Sequence, residues 1–257
     1  MQAHRETTVQ HDDHQLAVDV ATAAGSVLMA IRASAGLMGK PLGAVGDATA
    51  NELITRLLAH ARPADGFLTE EAAPDTKRLN LDRVWVIDPL DGTREYGEHA
   101  EGRDDWAVHV ALTVGGRPVA CAVALPALGV TFGTAAPPIL PVAPAGRLKI
   151  LVSRTRAPEL AWKVAERLDA ELLPMGSAGA KAMAVLRGEA HAYLHAGGQY
   201  EWDSCAPVGV ALAAGLHASR IDGSACTYNC ADVSMPDLLV CRPEIAEPLL
   251  AAIAASK

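Results

Sequence analysis

Apolar residues in the first half of the chain recur at two spacings, one helical and one extended. Leu16, Val20 and Ile31 follow the helical repeat, which predicts an amphipathic helix over residues 13–33. A glycine-rich loop is expected next, and Asp47 then begins a second amphipathic helix that ends at Arg62. Short apolar runs predict strands over residues 66–69, 84–88, 106–114 and 118–125, of which the last two form a hairpin.

The pattern changes after a proline-rich segment near residues 137–144, where strands and helices begin to alternate. Strands are predicted over residues 148–152, 190–195 and 238–241, and helices over residues 158–168, 177–186, 206–214 and 245–255. We therefore expect an α+β subdomain over residues 1–145 and an α/β subdomain over residues 146–257.

The composition is that of a folded protein with an acidic surface. Hydrophobic residues make up 50% of the 257 positions and charged residues 20%, which excludes wholesale disorder. The 22 basic and 30 acidic side chains give a net charge of -8, so neither a polymeric nucleic acid nor an anionic membrane is an expected partner. A small anionic ligand fits this charge only if cations mediate its binding.

Two features predict a cytoplasmic protein without a membrane span. The 5 cysteines include no C-x-x-C pair, and residues 1–7 lack the apolar core of a signal peptide. The segment over residues 118–146 carries no charge and is long enough to span a bilayer, but prolines interrupt it repeatedly. We expect buried strands joined by turns in this segment.

The main chemical signal is a pair of aspartates at the end of an apolar strand. Asp88 and Asp91 enclose Pro89 and precede Gly92, and the proline and glycine constrain the backbone so that the carboxylates can converge. Close carboxylates repel unless one is protonated or a divalent cation lies between them, which predicts Mg²⁺ or a related ion. By itself the motif also fits an ordinary aspartate-glycine turn. Its spacing differs from the D-x-D-G-T of aspartyl-phosphate enzymes, which favours metal-activated water.

Four separated motifs together resemble one family. Residues 88–93 match the central motif of the lithium-sensitive inositol monophosphatase superfamily, and Asp47, the pair Glu70-Glu71 and residues 202–207 match its other motifs in order. Residues 94–96 are similar to the CysQ-type 3'(2'),5'-bisphosphate nucleotidases within it. The resemblance covers nearly the whole chain and implies a layered αβαβα sandwich of the sugar-phosphatase type, built from α+β and α/β parts.

The resemblance also implies a role for each motif residue. Two or three Mg²⁺ ions would be held by the acidic side chains and one carbonyl group, namely Glu70, Asp88, Leu90, Asp91 and Asp203. Glu71 is the alternative to Glu70, and each acidic residue alone could instead cap a helix or lie in a solvated loop. Thr93, paired with Asp47, would orient and deprotonate the attacking water.

The same resemblance implies a phosphomonoesterase that removes the 3'-phosphate of 3'-phosphoadenosine 5'-phosphate, and it allows the sulfated nucleotide as a second substrate. Substrate-binding residues would be Gly92, Thr93, Ser153, Arg154, Gly176, Ser177, Lys181 and Asp203. Arg154 and Lys181 are expected near the second phosphate. The alternatives are an inositol-1-phosphate or fructose-1,6-bisphosphate phosphatase, and a nucleotide sensor without turnover. Relatives of this type are often homodimers, so a homodimer is allowed here.

Overall fold

The computed structural model describes residues 2–34 and 36–257, and side chains are considered from residue 13 onward except at position 34. The side chains of residues 1–7, used in the compartment prediction, lie outside this set. The helices are α1 (Gln2–Ser34), α2 (Gly39–Ala61), α3 (Thr93–Gly97), α4 (Glu159–Leu168), α5 (Ala178–Leu186), α6 (Glu201–Ala213) and α7 (Ala246–Ala254). The strands are β1 (Gly66–Thr69), β2 (Arg83–Asp91), β3 (Ala107–Val114), β4 (Arg117–Leu125), β5 (Val130–Gly133), β6 (Lys149–Ser153), β7 (Glu171–Met175), β8 (Ala192–Tyr200), β9 (His217–Ser219) and β10 (Ser234–Cys241).

These elements form five layers. The first sheet has the order β1-β2-β3-β4-β5 and the second the order β7-β6-β8-β10-β9. Helices α1 and α2 cover the outer face of the first sheet, and α4 and α7 cover the outer face of the second. Helices α5 and α6 lie between the two sheets and share one apolar core with both. The predicted αβαβα sandwich is confirmed.

Apolar burial explains this stacking. Helix α1 buries Ala17, Ala21, Ala24 and Leu28 against β3 and β4, and small residues on this face allow the helix to approach the sheet closely. The segment over residues 13–33 is also long and apolar enough to span a membrane by length and composition. Its inner face contributes to the core, as expected for a core helix of a globular domain.

Three predicted helix boundaries are wrong. The first helix, expected from residue 13, begins at Gln2. The helix expected to begin at Asp47 begins at Gly39, so Asp47 lies buried inside α2. The glycines that suggested a loop permit close packing instead: a Cβ atom at Gly43 would lie 2.5 Å from Cγ2 of Thr93. Sequence alone does not distinguish a glycine in a loop from one at a close helix contact. The helix expected from residue 206 begins at Glu201, which places Asp203 in its first turn.

The strands differ less from expectation. The uncharged segment tested for a membrane span contains β4, which is mostly buried as predicted, and the half-buried strand β5. β2 continues past residue 88 to Asp91, and the short strands β5, β7 and β9 were not predicted. The division near residue 145 falls in the segment between β5 and β6. The division into two subdomains stays a prediction, because α5 and α6 from the second half of the chain pack on the first sheet.

Candidate active site

A β-bulge brings Asp88 and Asp91 together at the end of β2. Asp88 pairs with His109 on β3 and Asp91 with Ala107, so three steps along β2 face two steps along β3. Residues three apart in a regular strand point to opposite faces, and one extra residue returns both to the same face. Gly92 follows with φ +91°, a backbone conformation that favours glycine. The predicted convergence of the two carboxylates is therefore produced within the strand.

Asp203 joins this pair from the opposite layer. It lies in the first turn of α6, and one oxygen from each of Asp88, Asp91 and Asp203 falls within a 4.8 Å cluster. Asp88 and Asp91 are buried, and Asp203 is half-buried. Residues 115 positions apart in sequence thus form one acidic site between the two sheets.

Backbone and side-chain donors hold one oxygen of each carboxylate. The N–H of Leu90 donates to Oδ1 of Asp88 at 3.1 Å, and the N–H of Tyr200 donates to Oδ2 of Asp203 at 2.7 Å. Ser177 and Gly179 donate to Oδ2 of Asp91 at 2.5 and 2.7 Å. The second oxygen of each carboxylate accepts none of these hydrogen bonds and is available to other partners.

Glu70, Asp47 and Thr93 lie beside this cluster. Glu70 follows β1, shares a hydrogen bond with Asp88 and is accessible to solvent. The Thr93 hydroxyl lies 3.1 Å from the carbonyl oxygen of Leu90 and also hydrogen-bonds to Asp47. Oδ1 of Asp47 is buried and lacks a hydrogen-bond partner among the described residues. The structure thus brings the predicted ligands and the predicted water-activating pair to one place.

The carboxylates perturb one another strongly. Burial raises the pKa of Asp88 well above its usual range, and the charges of Asp91 and Glu70 raise it further. Burial and the charge of Asp47 raise the pKa of Glu70 to about 7. Burial and the charge of Asp91 raise that of Asp203 to about 7, and burial and Glu71 raise that of Asp47 to about 7. This concentration of repelling acidic groups is relieved by a bound cation.

The donor set fits a hard divalent cation. Asp88, Asp91 and Asp203 supply carboxylate oxygens, which Mg²⁺ prefers, and the orphaned Oδ1 of Asp47 shows that acceptor capacity nearby is unfilled. The carbonyl of Leu90, predicted as a ligand, accepts from Thr93 and keeps a second lone pair. The site can therefore hold a metal ion.

The predicted phosphate-binding side differs from expectation. The N–H of Gly176 donates to Asp105 at 2.6 Å, and Ser177 bonds to Asp91, so these donors are already engaged. Lys181 is buried, and its ammonium group donates to the carbonyl oxygens of Met175, Gly176 and Ser177. The expectation of a lysine facing the cleft did not account for these internal acceptors.

Arg154 and Ser153 are also engaged within the protein. Arg154 pairs with Glu95 at 2.7 Å and with Glu98 at 2.8 Å, which joins β6 to the segment around α3. Ser153 accepts a hydrogen bond from the N–H of Arg156 at 3.3 Å. Contact of Arg154, Ser153 or Lys181 with a second phosphate stays a prediction, and it would require an exchange of the internal bonds. Gly92 and Thr93 lie at the start of α3, where amide groups lack helical partners.

Sequence reasoning missed His109, which lies in the acidic site. Its Nε2 atom is 3.2 Å from Oδ2 of Asp91. Burial acts to raise the pKa of Asp91, but the nearby charge of His109, with Lys181 and Ser177, lowers it to about 2. The single ionisable residue in the otherwise uncharged strand β3, next to the strand of the aspartates, is the signal that could have identified it.

Comparison with known proteins agrees with this geometry. The chain matches the family model described as the inositol monophosphatase family over residues 11–137 and 144–257. The structure of CysQ from Bacteroides thetaiotaomicron, described as a bacterial member of that family, superposes with a TM-score of 0.74 at 22% identity, covering 90% of this chain and 97% of that one. The chain belongs to the inositol monophosphatase family, as its motifs predicted.

Two relatives resemble this chain much more closely in sequence. The 3'-phosphoadenosine 5'-phosphate phosphatase of Mycobacterium bovis is 51% identical over 246 residues, covering 90% of this chain and 89% of the relative. The protein of the same name from Mycobacterium leprae is 47% identical over 267 residues, covering 97% and 96%. CysQ of Escherichia coli, a 3'(2'),5'-bisphosphate nucleotidase, is 26% identical over 193 residues, covering 71% of this chain and 77% of the relative.

Proposed function

We propose that this chain is a magnesium-dependent phosphomonoesterase that hydrolyses the 3'-phosphate of 3'-phosphoadenosine 5'-phosphate, giving AMP and phosphate. The observation that carries the proposal is the 51% identity, over nearly full length, to a relative named for that activity. The cluster of Asp88, Asp91 and Asp203 supports it, because the oxygens needed for cation-assisted hydrolysis are present.

The acidic residues would hold two or three Mg²⁺ ions. Their ligands would come from one carbonyl and four carboxylate groups, namely Glu70, Asp88, Leu90, Asp91 and Asp203. Bound Mg²⁺ supplies the positive charge that neutralises the phosphate and stabilises the entering and leaving oxygens. Rigid hydrogen bonds to one oxygen of each aspartate keep the ligands in place before substrate arrives.

Asp47 and Thr93 would activate the attacking water. In this structure the Thr93 hydroxyl donates to the carbonyl of Leu90; rotated to donate to Asp47, it would accept a hydrogen bond from water, and a proton would pass from water to the Asp47 carboxylate. The unpartnered Oδ1 of Asp47 adds acceptor capacity for this proton. The amides of Gly92 and Thr93 at the start of α3 would donate to the phosphate. The nucleoside would then lie on the far side of the phosphate, as in-line attack requires.

Phosphate release from several substrates tests this proposal. We expect 3'-phosphoadenosine 5'-phosphate to give the highest kcat/KM when it is compared with its sulfated analogue, inositol 1-phosphate and fructose 1,6-bisphosphate under equal Mg²⁺. Adenosine 5'-phosphate as the only nucleotide product, with no adenosine 3'-phosphate, would identify the 3'-phosphate as the group removed. A tenfold or greater preference for inositol phosphate or fructose bisphosphate would contradict the proposal, and binding without turnover would favour a sensor.

The two adjacent glutamates give a separate prediction about the ligand set. Glu70 interacts directly with Asp88, whereas Glu71 acts on Asp47 and Glu70 through its charge. We expect Glu70→Gln to lower kcat/KM at least about tenfold more than Glu71→Gln, because only the former removes a metal ligand. Activity measured against Mg²⁺ concentration checks this, and the reverse order would assign the ligand to Glu71.

The proposed substrate is a small phosphorylated nucleotide that would be met in the cytoplasm. The net charge of -8 is unfavourable for binding polymeric nucleic acid or an anionic membrane, so bound cations would be needed to attract the phosphates. A homodimer stays a prediction, which light scattering of the purified chain would test.

A further inference from the structure

His109 is a fully buried side chain that the mechanism above does not use. It lies on β3 opposite Asp88 and is 0% exposed. Its Nε2 atom is 3.2 Å from Oδ2 of Asp91, and its Nδ1 atom is 3.1 Å from the carbonyl oxygen of Trp202. The ring therefore connects the strand that carries Asp88 and Asp91 to the first turn of the helix that carries Asp203.

The contact of His109 with Asp91 is an ion-pair contact, without hydrogen-bond geometry, to an oxygen that already accepts two hydrogen bonds. Oδ2 of Asp91 also receives the hydroxyl of Ser177 and the N–H of Gly179. These three contacts all fall on Oδ2, so they fix the orientation of the carboxylate and leave its Oδ1 atom available to other partners. Donors that bond to the carboxylate oxygen that does not contact the metal set the orientation of the ligand and its affinity for the metal.

The first turn of α5 packs closely against the histidine ring and restricts its position. A Cβ atom at Gly179 would lie 2.1 Å from Nε2 of His109 and 3.1 Å from Cβ of Ala107. Only glycine lets the first turn of α5 come this close to the ring. The same turn donates to Asp91, so the ring, the turn and the carboxylate are fixed together.

We propose that His109 is a positioning residue of the cation site: it holds Asp91 so that Oδ1 faces the cation, and it joins Asp91 to the helix of Asp203. The inference rests on the proposed function in assuming that a divalent cation binds the carboxylates. It does not depend on which phosphate ester is hydrolysed.

Two substitutions separate the two contacts of the ring. The amide nitrogen of His109→Asn lies near the former Nδ1 atom and can donate to Trp202, but it does not reach Asp91. The longer amide of His109→Gln reaches the former Nε2 position and can donate to Asp91. His191→Asn is the matched control, because His191 is also buried and bonds to the backbone of Pro144 and Lys149 outside the acidic cluster.

Binding of Mn²⁺ to each purified variant, measured by electron paramagnetic resonance without substrate, is the main readout. We expect His109→Asn to weaken Mn²⁺ binding about 10- to 100-fold. His109→Gln should retain most of the affinity, and His191→Asn all of it. We also expect kcat at saturating cation to change less than the cation concentration needed for half-maximal activity. Thermal unfolding in chelator reports whether each variant is folded.

Unchanged Mn²⁺ affinity in His109→Asn would overturn the proposal, even if its unfolding temperature fell. Equal losses in His109→Asn and His109→Gln would overturn the assignment to the Asp91 contact. A measurement on the unaltered protein covers the case in which the variants do not fold. Its histidine ring ¹⁵N spectrum should show the His109 signals shifting when Mg²⁺ is added, and no shift would count against the proposal. Weaker Mn²⁺ binding by His109→Asn, together with no hydrolysis of the nucleotide by the unaltered protein, would leave this inference standing and reject the proposed substrate.

Discussion

Replacing Asp88 by asparagine should lower kcat/KM for phosphate release by several orders of magnitude while the protein still folds. Asp88 is buried at the centre of the acidic cluster, and its neighbours Asp91, Glu70, Asp203 and Asp47 all raise its pKa. The family resemblance gives it a share in two metal ions. An amide keeps the shape but removes the charge, so both cation affinity and stabilisation of the transition state are lost.

The same variant should be no less stable than the unaltered protein when Mg²⁺ is absent. The Oδ1 atom of the new amide can still accept the N–H of Leu90, and a neutral group removes repulsion among the buried carboxylates. Asp88→Asn therefore separates function from stability. Thermal unfolding in chelator measures the stability without cation, and titration with Mg²⁺ then measures how much the cation adds.

A matched control is available in the second sheet. Asp237 lies on β10, outside the acidic cluster, and forms an ion pair with Arg220 at 2.7 Å. Asp237→Asn should lower the unfolding temperature but leave kcat/KM per folded molecule unchanged. If Asp88→Asn kept activity within about tenfold of the unaltered enzyme, the assignment of Asp88 as a shared ligand would be wrong.

The sequence motifs predicted the members of the acidic site better than the local structure around them. Asp88 and Asp91 converge, as expected, but they do so through a bulge inside β2 and not in a turn after it. Asp47 lies beside the acidic cluster, but inside its helix and not at the start of it as predicted. Residue type carries the chemistry of a ligand, whereas the position of a helix end depends on contacts such as Gly43 against Thr93.

Internal partners account for what the sequence could not show. Arg154 and Lys181 were predicted near a phosphate because cations beside a glycine-containing turn suit an anion. In the fold, Glu95 and Glu98 pair with Arg154, and backbone carbonyls accept from Lys181. These partners come from distant segments or from the path of the backbone itself. His109 was missed for the same reason, because its contacts with Asp91 and Trp202 exist only after the layers stack.

Without a metal ion, the free energy of unfolding should fall as pH rises. Mg²⁺ bound to the acidic cluster should oppose this fall. Without a cation the pKa values of Asp47, Glu70 and Asp203 are raised to about 7. Between about pH 4 and 7 the folded state then binds more protons than the unfolded state, so the free energy of unfolding decreases as pH increases. Mg²⁺ binds the ionised carboxylates and therefore stabilises the fold more at higher pH.

The difference between unfolding temperatures in Mg²⁺ and in chelator isolates this effect. His191, His195 and His217 have lowered pKa values and act in the opposite direction, but they lie outside the carboxylate cluster and contribute equally in both conditions. One pKa unit corresponds to about 1.4 kcal/mol, and 1 kcal/mol to about 2–4 °C in a chain of this size. The stabilisation by Mg²⁺ should thus grow by several degrees between about pH 5 and 8.

Asp91 has a lowered pKa and does not contribute to this trend. At about 2, its carboxylate is ionised throughout the window, so it adds no slope above about pH 4. Asp203→Asn removes one of the groups that titrate near neutral pH, and it should flatten the growth of the Mg²⁺ effect. An equal Mg²⁺ stabilisation at pH 5 and pH 8 in the unaltered protein would mean that the cation binds elsewhere. In that case the acidic cluster would not be the metal site.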